Sequence, residues 1–260
     1  MNLTDDQLDR YSRQIILPGI GGAGQAKLLA AHVVMIGAGG IGCPALAYLA
    51  AAGVGRITIV DDDTVDLANL QRQILFGTDD IGKSKADAAA RALGRMNPDC
   101  NIIAVKERFT AQHENVDYWR DADVVIDGTD NFATRLAVSD AATRARVPLV
   151  SAALGRFQGQ LATFYGWQAD QPCYRCFVGD AFDADDCDTC AEQGVLGAVV
   201  GVMGTMAASE AIRVITGFGE DQAGKLHLFD GLAPAWRTMR IAKDPGCRTC
   251  GGQSATPRDN

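Results

Sequence analysis

The segment 32–42 constrains the fold most. A short apolar run, His32-Val33-Val34-Met35-Ile36, leads straight into Gly37-Ala38-Gly39-Gly40-Ile41-Gly42, and helix-favouring sequence follows at 43–52. Glycines spaced as Gly37-x-Gly39-x-x-Gly42 at a strand-to-helix turn let backbone amides and the positive end of the helix dipole converge where a phosphate can sit. A second apolar run at 56–60 completes a strand, helix, strand unit. The alternation continues with a helix near 83–96 and strands near 101–105, 123–126 and 147–151. Parallel neighbours need crossover connections, so this pattern implies an α/β fold with a Rossmann-like, doubly wound, mostly parallel sheet.

Past residue 151 the character changes. A strand is expected at 160–165, a mobile loop rich in Asp, Gly and Cys at 170–193, an apolar helix at 194–216, and two strands of an antiparallel extension at 225–229 and 236–241. The expected organisation is a helical arm at 1–30, a nucleotide-binding core at 31–170, and a loop, interface helix, strands and zinc clamp of the same domain at 171–250, with a disordered tail at 251–260. A chain of 260 residues with 47% hydrophobic content can bury one substantial core.

Several classes of function are excluded. The net charge of −8 comes without the basic stripe that nucleic-acid binding needs. Thr4-Asp5-Asp6-Gln7 reads as a helix capping box rather than the start of a signal peptide. The most apolar stretch, 195–208, is too short for a bilayer and runs into Glu210 and Arg213, which argues for a buried or interface helix and no membrane. Its Gly197-x-x-x-Gly201 spacing permits close helix approach. Six of the eight cysteines fall in three Cys-x-x-Cys pairs without a secretory leader, which indicates thiolate chemistry in a reducing, cytoplasmic setting.

Asp61 stands 19 positions after Gly42, where a carboxylate can accept from ribose hydroxyls. The glycine turn alone fits NAD, FAD, ATP or S-adenosylmethionine. Downstream lie Asp61-Asp62-Asp63-Thr64-Val65-Asp66, Asn69-Leu70-Gln71-Arg72-Gln73 and Lys83-Ser84-Lys85. Acid, amide and base clustered in this way suit a triphosphate with a divalent cation better than a dinucleotide. Taken singly, Arg72 and Lys85 also read as solvated surface charges. Asp130, just past the fourth strand, has two readings: a magnesium ligand at the carboxyl end of the sheet, or the N-cap of a helix starting near Phe132.

These motifs together resemble the ThiF/MoeB/HesA group of activating enzymes, related to the ubiquitin-activating enzymes. The resemblance covers nearly the whole chain. It is carried by Arg10-Tyr11-Ser12-Arg13-Gln14, the glycine turn, Asp61-x-Asp63-x-Val65, Asn69-Leu70-Gln71-Arg72-Gln73, Gly82-x-x-Lys85, Thr129-Asp130-Asn131, Cys173-Tyr174-Arg175-Cys176 and Gly246-Cys247-x-x-Cys250-Gly251. The nearest fit is to molybdopterin-synthase adenylyltransferases, with thiamine-pathway adenylyltransferases second.

The resemblance implies a homodimer that uses ATP and Mg²⁺ to join AMP to the C-terminal Gly-Gly carboxylate of a small ubiquitin-like sulfur-carrier protein. It gives the ribose to Asp61, the phosphates to Arg72 and Lys85 and the magnesium to Asp130. Arg13 would reach the neighbouring subunit's site, and Gly40, Asn69 and Gln73 would complete the pocket. Such a carboxylate, with a pKa of about 3.5, is already ionised at neutral pH, so no general base is required. Sulfur is then expected from a separate sulfurtransferase.

Two Cys-x-x-Cys pairs can build a closed, tetrahedral zinc site. Their separation exceeds the usual zinc-ribbon gap, so spacing leaves the choice of pairs open; the resemblance implies Cys173, Cys176, Cys247 and Cys250 for Zn²⁺. It also aligns Cys190 with a loop cysteine that in some relatives links covalently to the carrier. Asp183, Asp185, Asp186 and Asp188 surround Cys190 and disfavour its thiolate. Cys187 is an extra cysteine, open to a redox role or metal ligation, and Cys43 and Cys100 read as buried fillers. Two competing readings are an NAD-dependent oxidoreductase, which leaves Arg72, Lys85 and Asp130 unused, and a scaffold without turnover.

Overall fold

The computed structural model describes residues 3–113, 119, 121–179 and 194–252. Eight strands form one sheet: β1 (His32–Ile36), β2 (Arg56–Val60), β3 (Asn101–Val105), β4 (Val124–Asp127), β5 (Leu149–Gly155), β6 (Gln158–Phe164), β7 (Lys225–Asp230) and β8 (Ala235–Arg240). Their order is β3-β2-β1-β4-β5-β6-β7-β8. The pairs from β3 to β5 are parallel and those from β5 to β8 antiparallel. β1 is central and buried at every residue, as a strand covered on both faces must be.

The helices are α1 (Asp5–Ile15), α2 (Gly21–Ala30), α3 (Gly42–Ala51), α4 (Lys85–Met96), α5 (Phe132–Ala145), α6 (Tyr174–Val178) and α7 (Gly197–Thr216). The expected capping box forms: Thr4 and Gln7 exchange hydrogen bonds at 3.1 and 3.2 Å. The N-terminal pair is anchored to the sheet domain. Tyr11 is buried and accepts from Asn97, and the Gln14 and Gln25 amides both donate to the Ala52 carbonyl.

Two expectations need correction. The β5–β6 hairpin is longer than the apolar runs suggest, because the exposed Gln158 and Gln160 alternate with the inward-facing Gly159 and Leu161. Backbone pairing continues past the point where apolar composition stops. The apolar stretch 195–208, expected to be too short for a bilayer, lies largely within the expected helix, which runs Gly197–Thr216 and is by length and composition sufficient to cross one. Here it packs on β5, β6, α2 and α3, burying Val199, Val200, Met203, Ala207, Ala208 and Ala211. Its close approaches are at Gly197 and Gly204, where a Cβ would meet Gln71 O and Ile41 O at 2.4 Å; Gly201 faces open space. Glu210 is buried on it, held by Thr163 and Arg213.

The loop expected at 170–193 contains α6, and residues 180–193, with Cys187 and Cys190, lie outside the described residues, as does most of the tail.

Candidate nucleotide cleft and metal centre

After β1 the chain winds outward through β2 and β3, then returns to place β4 on the other side of β1. This reversal opens a crevice at the carboxyl ends of β1 and β4, the usual ligand position in such sheets. A cleft of about 1220 Å³ occupies it, lined by the glycine turn, Asp61, Arg72, Gln73, Lys85 and the segment from Gly128 to Arg135.

The glycine turn is built by separate demands. Gly37 has φ +90°, a left-handed conformation natural to glycine. A Cβ at Gly42 would sit 2.1 Å from Gly37 O, and one at Gly40 would meet Val200 of α7 at 2.6 Å. The glycine expected to approach a ligand is therefore required by helix packing at position 40. Gly39 differs, because a Cβ there would meet nothing closer than Gln73 Nε2 at 3.8 Å. The protein's own packing does not require glycine at 39, so the free backbone face there is available to a bound group.

Asp61 braces the turn. One carboxylate oxygen accepts from Ala38 N–H at 2.7 Å and the other from Asp63 N–H at 2.9 Å. Burial pushes its pKa above the usual carboxylate value, opposed by those two amides and by the Lys85 charge. Gln73 is positioned by a short 3₁₀ turn in which Asp66 and Asn69 cap each other, and its N–H donates to Asn69 O at 2.9 Å. Gln73 is buried, and its Oε1 has no hydrogen-bond partner among the described residues. An unpartnered buried amide oxygen is costly, and a ligand donor would satisfy it. Arg72 is half-buried on the cleft wall and donates to Ala68 O at 3.0 Å.

Lys85 opens α4 and is buried, with its Nζ 2.5 Å from the exposed Asp63 carboxylate. Asp130 is exposed at the cleft, and the cap of α5 is Asn131, whose Oδ1 accepts from Thr134 N–H at 2.8 Å. The N-cap reading of Asp130 is thereby overturned, and its carboxylate is left for the cleft. Arg13 lies exposed on α1 and does not line this chain's cleft.

Sequence reasoning missed the buried pair beneath Asp130. Arg135 is 3.7 Å from Asp127, and both are buried. One turn into a helix, Arg135 looks like any surface arginine; an arginine four residues after a capping asparagine was the only signal. The apolar wall of Tyr174, Phe177 and Leu232 also went unread, since it joins α6 to the distant turn between β7 and β8.

At the start of α6, the sulfurs of Cys173, Cys176, Cys247 and Cys250 lie within 4.8 Å of one another, with Cys173–Cys247 at 3.6 Å and Cys176–Cys250 at 3.3 Å. Tetrahedral zinc with Zn–S near 2.3 Å puts sulfurs about 3.8 Å apart, so the donor set and spacing suit zinc. Arg175 locks this loop down, donating to Asp140 at 2.7 Å and to Thr249 at 3.0 Å. Cys43 and Cys100 are buried, and burial raises both thiols to about 12, as fillers require.

A family model described as the ThiF family matches residues 11–249. The chain belongs to the ThiF family. It is 44% identical over 256 residues to the sulfur carrier protein ThiS adenylyltransferase of Escherichia coli K12, covering 98% of this chain and 100% of that one. It is 41% identical over 256 residues to the sulfur carrier protein adenylyltransferase of Thermus thermophilus, covering 97% and 94%. A crystal structure of E. coli MccB superposes with a TM-score of 0.82 at 23% identity, over 100% of this chain and 76% of that one, and shows the fold alone. This ThiF family member is an adenylyltransferase. That assignment displaces the NAD-dependent oxidoreductase reading.

Proposed function

We propose that this ThiF family member adenylylates the C-terminal Gly-Gly carboxylate of a small ubiquitin-like sulfur carrier, using ATP and Mg²⁺ and releasing pyrophosphate. The carrier's carboxylate oxygen attacks the α-phosphorus while the bond from that phosphorus to the pyrophosphate oxygen breaks. One observation carries the reading: a single cleft holds the free backbone face at Gly39, the unpartnered Gln73 oxygen, Lys85, Arg72 and Asp130, and continues past an apolar wall at Tyr174, Phe177 and Leu232. Its volume exceeds the roughly 300–1,000 Å³ of ordinary small-molecule sites, which leaves room for a nucleotide and an extended tail together.

In this reading Asp61 and Gln73 hold the nucleoside, with Asn69 shaping the turn that presents Gln73. Gly37, Gly39 and Gly40 give the phosphates an amide-lined turn, while Arg72 and Lys85 neutralise their charge. Asp130 would hold Mg²⁺, which when bound supplies charge neutralisation at the phosphates. Catalysis then rests on positioning and electrostatics, in keeping with an ionised nucleophile that needs no base. Arg13, exposed and turned from its own cleft, would complete the site of a second copy in a homodimer. Cys173, Cys176, Cys247 and Cys250 would bind Zn²⁺ as a closed structural clamp. Cys190 remains a candidate for covalent linkage, a separate sulfurtransferase would supply sulfur, and the setting is cytoplasmic.

The pathway assigned to the carrier is molybdenum-cofactor biosynthesis. The full-length match to a ThiS adenylyltransferase favours the thiamine pathway as the second reading. ATP–pyrophosphate exchange with each purified carrier tests both. Exchange that needs the carrier's Gly-Gly end and disappears in Asp130→Ala supports adenylylation, and the carrier that elicits it identifies the pathway. No exchange with an intact carrier of either type sinks the proposal.

A further inference from the structure

We infer that Arg135 is a positioning residue that fixes the magnesium-binding geometry of Asp130 by clamping Thr129, the residue before it; the inference rests on the reading of Asp130 above. The Arg135 guanidinium is buried yet borders the cleft. Its Nη2 donates to Thr129 O and, at 2.8 Å, to Ala152 O, tying the end of β4 to β5. Its Nη1 donates to Ser151 Oγ at 3.4 Å and lies 3.7 Å from Asp127 Oδ2.

Asp127 holds the same residue from the other side. Its Oδ1 accepts from Thr129 N–H at 3.0 Å and from Thr129 Oγ1 at 2.7 Å. Thr129 is therefore fixed through its N–H, hydroxyl and carbonyl by the two members of one buried ion pair. Asp130 follows directly; its exposed carboxylate feels the Arg135 charge but has no hydrogen bond among the described residues. The clamp therefore sets where that carboxylate begins while leaving its oxygens available.

The Arg135 guanidinium also interacts electrostatically with the Tyr174 side chain on the apolar wall. Lysine cannot reproduce the clamp. A guanidinium carries five donors in a rigid fork, whereas an ammonium is a point charge on a flexible stem. Magnesium makes the difference matter, because it demands near-ideal octahedral geometry and tolerates little error in a protein ligand. Groups that orient a metal ligand typically change metal affinity by about 10- to 100-fold when removed.

The test is calorimetric titration of the purified full chain with a non-hydrolysable ATP analogue across a magnesium series, using the wild type, Asp130→Asn, Arg135→Lys and the double variant Asp127→Asn/Arg135→Met. Arg135→Lys keeps a cation opposite Asp127, and the double variant leaves no buried charge unpaired, so at least one of them retains the fold, checked by its melting curve. The expected result is about a tenfold or greater rise in the magnesium concentration that half-maximally promotes nucleotide binding in a folded Arg135 variant. Affinity for the metal-free nucleotide should stay within about twofold, a split that a merely structural role would not produce. A folded Arg135 variant with wild-type magnesium dependence, alongside a shifted Asp130→Asn, overturns the assignment of Arg135. An unshifted Asp130→Asn overturns the magnesium role of Asp130 itself, and the Arg135 assignment with it.

Discussion

Lys85 and Asp63 form an ion pair at 2.5 Å whose two ends see different surroundings: the lysine side chain is 7% exposed and the aspartate 65%. Burial raises the Asp63 pKa, but hydrogen bonds from Lys85 and Thr64 and the nearby positive charges more than offset it, leaving the carboxyl below its usual value. The ammonium thus waits on the cleft wall beside a partner that water can solvate alone. A half-exposed pair of this kind contributes about 0–1 kcal/mol. Lys85→Met should therefore barely change the melting temperature, while pyrophosphate exchange falls by roughly 10²–10³ through lost charge stabilisation. A large loss of stability with nearly normal exchange would make the lysine structural.

The glycines separate fold from ligand. A Cβ at Gly42 would collide with the Gly37 carbonyl at 2.1 Å, a backbone atom that cannot give way. Gly42→Ala should cost about 3 kcal/mol or more, as overpacking a rigid site does. Gly39→Ala meets only ordinary contact with Gln73 and should remain within about 0.5 kcal/mol of wild type. Its nucleotide affinity should nevertheless fall at least about tenfold if a phosphate lies against that backbone. Equal melting curves and equal nucleotide affinities for Gly39→Ala and wild type would remove Gly39 from the site.

The four-cysteine centre predicts a stability effect with a metal readout. Cys247 and Cys250 sit on the C-terminal loop and Cys173 and Cys176 at the start of α6, so an ion there joins segments more than 70 residues apart. Cys247→Ser should abolish stoichiometric zinc, measured by elemental analysis. A loss of roughly 3 kcal/mol would lower the melting temperature by about 6–12 °C in a domain of this size. Wild type treated with a strong chelator should show the same shift. Full stability without zinc would mean that the Arg175–Asp140–Thr249 bonds hold the loop unaided.

The parallel half of the sheet was readable because period and punctuation agree there: β1, β2 and β3 are short apolar runs, each followed by glycine or a charged residue. The cleft's charged residues were readable for the same reason, since ligands in such sheets gather where strands end. What escaped was long-range pairing of polar sequence. The exposed Gln158 concealed the start of β6, and only its place four residues after the capping asparagine distinguished Arg135 from the exposed Arg144 on the same helix. The capping of α5 was settled by a choice between adjacent residues, Asp130 and Asn131, that both have the chemistry to cap. Sequence supplies candidates for such positions, and backbone geometry selects among them.

A different part of the molecule should set its pH dependence. His32, at the amino end of β1, is buried, with its ring nitrogens 2.9 Å from Thr58 Oγ1 and 3.2 Å from Asp121 Oδ1. Burial foremost, and then the Arg56 charge, lowers its pKa below 6.5 despite Asp121. Because the unfolded chain takes up this proton more readily than the folded one, stability is complete above pH 6.5 and declines as pH falls from there towards the folded value. The slope for one proton is at most about 1.4 kcal/mol per pH unit. His227 is also lowered, chiefly by burial, and contributes in the same direction. Denaturant melts between about pH 5 and 6.5, above most carboxylate titrations, should show falling stability on acidification. His32→Gln should make the slope shallower without removing it, leaving the share due to His227. An unchanged slope in His32→Gln would mean that His32 does not govern it.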